Sequence, residues 1–284
     1  MILNKKIDII CPLYNAENYI ETLHNALLKQ KNININKFRY ILTESEDNTE
    51  KYLKDNKINY TKIKKTEFSH SLTRENEALQ SNADILVFIT QDIDIEDELW
   101  LYNLVKDIDD KNIVATYSRQ ISKYNNLEKY TREANYPDKD LVKSKEDIDK
   151  FGLKTFFFSD ASSAINTNVF KQLNGYDHKK LPISEDMYIA YKIIMNGYKI
   201  KYCSNSIVYH SHKFTLKQIY DRYKLTGKFF KENDYLDQYG TTGSGASLAK
   251  YVLKRIFQEF RLNLLFRYPF DMAARLFGMK AGKK

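Results

Sequence analysis

The chain has 284 residues, 43% apolar and 29% charged, which is enough for a full hydrophobic core and fits one large α/β domain with room for a small appendage. Its net charge of +8 favours anionic partners without choosing among phosphates, nucleic acid and an acidic membrane surface. Two cysteines with no CxxC spacing exclude a disulfide scaffold and a cysteine-based zinc site, and no run of eighteen apolar residues could span a membrane as a helix.

Short β-branched runs alternate with helical patterns through the first half. Ile7 to Cys11 reads as a strand, and Ala16 to Lys29 carries apolar residues at helical spacing. Phe38 to Thr43 reads as a second strand, Thr49 to Asn56 as a short helix and Ile58 to Lys64 as a third strand. Leu72 to Gln80 predicts a helix, and Asp84 to Thr90 a nearly all-apolar strand. The order βαβαβαβ implies a mostly parallel sheet with helices on both faces. Such sheets bind ligands at the carboxyl ends of their strands, which directs attention to the loops after Cys11, Thr43 and Thr90. Lys123 to Lys150 is polar and reads as loops and short helices. Thr155 to Phe158 reads as a strand running into Ser159–Ser163. Met187 to Met195 predicts a helix with Gly197 just past its end, and Lys199 to His212 is strand-like. Helical patterns dominate from Phe214 onward, so a catalytic unit over 1–213 and a helical region over 214–284 are expected. Gly240 to Gly245 reads as a flexible break before one final amphipathic helix.

Four segments carry chemistry. Asp92 directly follows the strand Ile85–Ile89, where a carboxylate can hold Mg²⁺ or Mn²⁺ against a diphosphate. Asp94, Asp97 and Glu98 read instead as cap and first-turn acids of a following helix. Ser184-Glu185-Asp186 opens the helix at Met187: Ser184 can cap it, and one carboxylate can act as a general base, or both can simply face the helix dipole. His210 and His212 alternate in an extended segment and share a face suited to a metal or a phosphate. Arg74 lies near a helix N-terminus, a place where anions bind.

Taken in order, these segments resemble the family 2 glycosyltransferases, whose fold is GT-A. Ile10-Cys11-Pro12-Leu13-Tyr14-Asn15 is similar to the family's opening strand and turn. Thr90-Gln91-Asp92 stands where its D-x-D motif falls, Glu185-Asp186 resembles its "ED" motif, and His210-Ser211-His212 its late histidine. Phe68-x-His70-x-x-Thr73-Arg74 and Ser184-Glu185-Asp186-Met187 are similar to the bacterial rhamnosyltransferases of cell-wall polysaccharide and O-antigen synthesis, in which T-Q-D replaces D-x-D. The resemblance covers roughly residues 5 to 230. It implies a nucleotide-sugar donor, a glycan acceptor that is often lipid-linked, and a divalent metal. It also implies that Pro12, Tyr14, Asn15 and Gln91 line the donor pocket, that Asp92 holds the metal with His210 or His212, and that Arg74 faces the phosphates. Asp186 becomes the base, with Glu185 orienting the acceptor or the base, and Asp160 lies near sugar and acceptor. The family's Asp after the second strand is absent; Glu44 stands there as its substitute.

The implied reaction is an inverting transfer of L-rhamnose from dTDP-rhamnose, with a UDP-hexose or UDP-N-acetylhexosamine as the competing donor. A cytoplasmic enzyme is expected, lying in part on the inner face of the cell membrane. Lys250 to Lys284 mixes aromatic, aliphatic and basic residues, which suits either an interfacial helix or one packed on the core or on a second copy in a homodimer. No basic run with interleaved aromatics, zinc pattern or helix-turn-helix signature appears, so the charge alone does not make a nucleic-acid binder.

Overall fold

The computed structural model describes residues 2–109 and 111–284, the side chains of 241–244 excepted. Its first half alternates as the apolar periodicity dictates: β1 (Lys6–Leu13), α1 (Ile20–Leu28), β2 (Asn34–Thr43), α2 (Thr49–Asp55), β3 (Tyr60–Ile63), α3 (His70–Leu79), β4 (Ile85–Ile89) and α4 (Trp100–Val105). The second half runs β5 (Ile113–Ile121), α5 (Leu127–Asn135), β6 (Leu141–Lys143), α6 (Ile148–Phe151), β7 (Ser162–Asn166), α7 (Thr167–Gln172), α8 (Glu185–Met195) and β8 (Lys199–Tyr209). Three helices close the chain: α9 (Leu216–Glu232), α10 (Thr241–Gln258) and α11 (Asn263–Lys283).

Among the described residues the strands form one sheet in the order β3-β2-β1-β4-β7-β5-β8-β6. β1, β2, β3 and β4 are parallel, as are β5 and β8, while β7 and β6 run against their neighbours. Side chains alternate across the sheet with period two. Ile85, Val87 and Ile89 of β4 join Trp100, Leu101 and the α1 side chains on one face. Leu86 and Phe88 join Phe170, Ile189 and Phe229 on the other. Helices thus cover both faces, which a parallel sheet requires because it has no face to leave in water.

The antiparallel β7 matters most for function. Its first residue, Ser162, lies beside Ile89, the last of β4. The segment entering β7 therefore sits at the same sheet end as the segment leaving β4, and Asp160 arrives beside the loop that carries Asp92.

Several local expectations are corrected. Thr155–Phe158 is not a strand: Gly152 turns the chain at φ +52, residues Gly152–Phe156 form a 3₁₀ turn, and Phe156 packs edge-on against Tyr191 and Tyr239. An apolar run is shared by buried strands and buried turns, so it did not discriminate. Gly240–Gly245 is not a break. Gly240 makes the turn at φ +82 and α10 begins at once. The final helix is two, α10 and α11, divided at a corner where Phe260 has φ +52. Asp94 is not a cap; its backbone pairs with Tyr209 and its carboxylate with Lys123. Asp97 accepts instead from the Leu99 N–H, ahead of α4.

Candidate active site

The β1 and β2 loops are fastened together at the carboxyl end of the sheet. Asn15 adopts φ +47, a conformation Asn tolerates better than most side chains. Its N–H donates to Ser45 Oγ (3.0 Å) and its Oδ1 accepts from the Glu46 N–H (3.1 Å). Pro12, one residue before the end of β1, is in register with Ile41, and Tyr14 just past the strand is exposed. Gln91 clasps the β1 loop twice: its Oε1 accepts from the Tyr14 N–H (2.7 Å), and its Nε2 donates to the Tyr14 carbonyl (2.9 Å). The carboxamide is thereby spent on tying two loops together. Glu44 is exposed at the end of β2. Lys65, which carried no sequence signal, holds its Nζ 5.5 Å from the Tyr14 ring centre and pairs with Glu46.

Asp92, His210 and His212 converge. One ligand atom from each lies within 4.8 Å of the others. The double backbone bond between Asp94 and Tyr209 brings them together by pinning the loop after β4 to the end of β8. His210 Nδ1 meets Gln120 Oε1 at 2.9 Å, and that oxygen also accepts from Arg132. A carboxamide oxygen can only accept, so the Nδ1 carries the proton and Nε2 is turned to Asp92 Oδ2, 3.4 Å away. His212 Nδ1 stands 3.7 Å from the same oxygen. Burial alone would raise the Asp92 pKa, but the His210 hydrogen bond and the charges of both imidazoles outweigh it and hold the carboxyl below its ordinary value. Burial, with His210 beside it, lowers His212 to about 4. In the neutral form that binds a metal, His210 keeps its proton on Nδ1 against Gln120 and has Nε2 on the Asp92 side. One carboxylate and two imidazoles therefore fit a divalent ion, and nitrogen donors suit Mn²⁺ better than Mg²⁺.

The second cluster is built of acids. Ser184 takes φ +61, and its hydroxyl does not cap α8 as expected. Instead Asp186 Oδ1 accepts from the Met187 N–H at 2.7 Å. A left-handed non-glycine residue here is local strain, and it sets Glu185 and Asp186 in the first turn of α8. Asp160 is buried, accepting from Tyr176 Oη (2.6 Å) and Ser163 Oγ (2.7 Å). Desolvation and the charges of Glu185 and Asp160 push Asp186 well above the usual carboxylate range. Asp160 is likewise raised by burial, despite Arg74 nearby.

Arg74, expected to face the phosphates, is turned inward. It is 2% exposed, donates to the His70 carbonyl and pairs with Glu185 at 3.4 Å.

Gln120 links the histidine cluster to the segment that carries Asp160 of the acid cluster. Gln120 accepts from His210 and donates to Ser159 Oγ (2.8 Å), next to Asp160. Tyr136 is buried between them, its hydroxyl raised to about 12 by desolvation and affected by both Arg132 and Asp186. Arg222 of α9 is close enough to lower both Asp186 and His70. Gln120, Tyr136 and Arg222 were missed from sequence because nothing local marks them; each acts on a partner tens of residues away.

Residues 8–173 match the model of glycosyl transferase family 2. The chain is a family 2 glycosyltransferase. This glycosyltransferase is 34% identical over 285 residues to the O-antigen chain rhamnosyltransferase RfbN of Salmonella typhimurium (strain LT2), covering 98% of this chain and 90% of that one. It is also 34% identical to the O-antigen chain rhamnosyltransferase WbaN of Salmonella anatum, covering 97% and 88%. Its fold is similar to that of the mannosyltransferase PcManGT from Pyrobaculum calidifontis, solved with GDP-Man and Mn²⁺, at a TM-score of 0.63 and 12% identity over 98% of this chain and 86% of that one. The GT-A architecture and the C-terminal helices of this family 2 enzyme are as the sequence led one to expect.

Proposed function

We propose that the enzyme transfers L-rhamnose from dTDP-rhamnose to a hydroxyl of a lipid-linked glycan by a single inverting displacement. The rhamnosyltransferase relatives, similar over nearly the whole chain, support the donor sugar. The observation that carries the mechanism is the presence of two clusters of opposite character, Asp92 with two imidazoles and Asp186 with Glu185 and Asp160.

Asp92, His210 and His212 would hold a divalent cation, and their mixed nitrogen and oxygen donors favour Mn²⁺. When bound, the cation supplies positive charge against the donor diphosphate. Pro12, Tyr14, Asn15 and Glu44 frame the nucleotide side, with the Gln91 clasp holding that loop in place. Asp186 takes the proton from the acceptor hydroxyl as its oxygen attacks the anomeric carbon from the face opposite the nucleotide, while the bond from that carbon to the diphosphate oxygen breaks and dTDP leaves. A raised pKa suits that task, since a base works best when its pKa lies near the operating pH. Arg74 acts through Glu185: by pairing with it, Arg74 orients the side chain next to the base. Asp160 stands beside them on the sugar and acceptor side.

The test is a hydrolysis and transfer assay with Mn²⁺ across dTDP-rhamnose, UDP-glucose, UDP-N-acetylglucosamine and GDP-mannose. Turnover selective for dTDP-rhamnose is expected. Preference for a UDP-sugar would replace the donor assignment while leaving the chemistry of the site intact.

A further inference from the structure

Residues 246–284 hold nine Lys and Arg against two acids, a net +7, so nearly the whole excess charge of the chain resides there. Both acids are already neutralised: Glu259 pairs with Lys129 and Arg255, and Asp271 with Arg275. Lys250, Lys254 and Lys280 are exposed and make no ion pair among the described residues. Arg261 and Arg267 donate only to backbone carbonyls, of Asn125 and Phe214, which leaves their charges uncompensated.

The same region exposes aromatic rings. Phe257, Phe260, Phe266, Phe270 and Phe277 are each more than half exposed, Phe260 and Phe266 by 84% and 82%. At 100° per residue, positions 266, 270 and 277 of α11 fall within about 40° of arc and form a single stripe. Gly278 and Gly282 lie about 100° and about 140° around the helix from the middle of that stripe, where they meet α9. A Cβ at Gly227 or Gly282 would overlap the backbone of the facing helix. This backbone-to-backbone fit fixes α11 on the body and fixes the stripe outward. At the corner between α10 and α11, Phe260 adopts a left-handed φ that an aromatic residue rarely takes, and its ring projects into solvent. Apolar patches of this kind are uncommon on a free soluble surface.

We propose that the α10–α11 corner docks on the surface of an anionic lipid bilayer, with the phenylalanines entering the interface and Lys250, Lys254, Lys280, Arg261 and Arg267 meeting lipid phosphates. Charge complementarity selects this occupant over a second copy of the chain, whose matching corner would be equally positive. No helix among the described residues is long and apolar enough to cross a membrane, so the contact is interfacial. The proposal is independent of the donor assignment, because vesicle binding requires no nucleotide sugar.

The test is flotation of the full chain with phosphatidylcholine vesicles, with and without phosphatidylglycerol. Binding that needs the anionic lipid and weakens with salt is expected. The variant Phe260→Ser/Phe266→Ser/Phe270→Ser should reduce the partition coefficient at least about tenfold, with an unchanged melting temperature because the rings are exposed. Lys250→Ala, Lys254→Ala and Lys280→Ala should each cost about fivefold. Absence of binding by the wild type, or equal binding by the triple Phe variant, overturns the proposal. So does a wild-type dimer that ignores vesicles and becomes monomeric in that variant, which would make the corner an interface between copies.

Discussion

Asp92 and Asp186 are the same side chain held in opposite environments. Asp92 faces two imidazoles and is kept ionised, its pKa depressed despite burial. Asp186 faces two other acids, Glu185 and Asp160, and its pKa is driven up. The difference follows from their neighbours rather than from their own chemistry: one keeps its negative charge readily, the other gives up its proton reluctantly.

Exchanging Asp186 for Asn tests the proton-accepting side most severely. Asp186→Asn should lower kcat by about a hundredfold to ten-thousandfold, with donor affinity by calorimetry nearly unchanged. A mutant with wild-type turnover would remove Asp186 as the base. On the other side, Asp92→Ala should lower Mn²⁺-dependent turnover by about a hundredfold or more and weaken donor binding only when Mn²⁺ is present. Equal donor affinity with and without the ion in both proteins would take Asp92 out of the site. Gln120→Met removes the acceptor that fixes the His210 tautomer, and apparent Mn²⁺ affinity should fall by about tenfold to a hundredfold with little change at saturating metal. If the loss instead persists at saturation, Gln120 serves the acid cluster through Ser159 more than it serves the histidines.

The smallest effect is also the most diagnostic. A base acts only when deprotonated, so kcat should climb as pH rises through the raised Asp186 pKa and level off above it. Asp160→Asn removes one of the negative charges that raise it, so the climbing limb should move to lower pH by about one unit. A limb that stays put in this isosteric variant would mean that burial alone, not the neighbouring acid, sets the base.

Much of this was legible in the sequence because it rests on local signals. Period-two and helical spacing announced β1 through α3, and the position of Asp92 directly after an all-apolar strand announced the sheet end at which it meets His210 and His212. Alternation put His210 and His212 on one face. What escaped depends on contacts distant in sequence. The inward turn of Arg74 is decided by Glu185, 111 residues later. Gln120 reads as an ordinary strand residue until β8 brings His210 against it. The antiparallel entry of β7 could not be told from the apolar run before it, which folds as a turn.

The glycine contact between α9 and α11 leaves a hereditary footprint. Wherever a related chain keeps this tail in the same pose, the positions matching Gly227, Gly278 and Gly282 cannot grow a side chain without forcing the two backbones apart. Small residues at those three places therefore trace descent of the tail's geometry even where the aromatic stripe has drifted, and bulky ones mark lineages in which the tail is mounted differently.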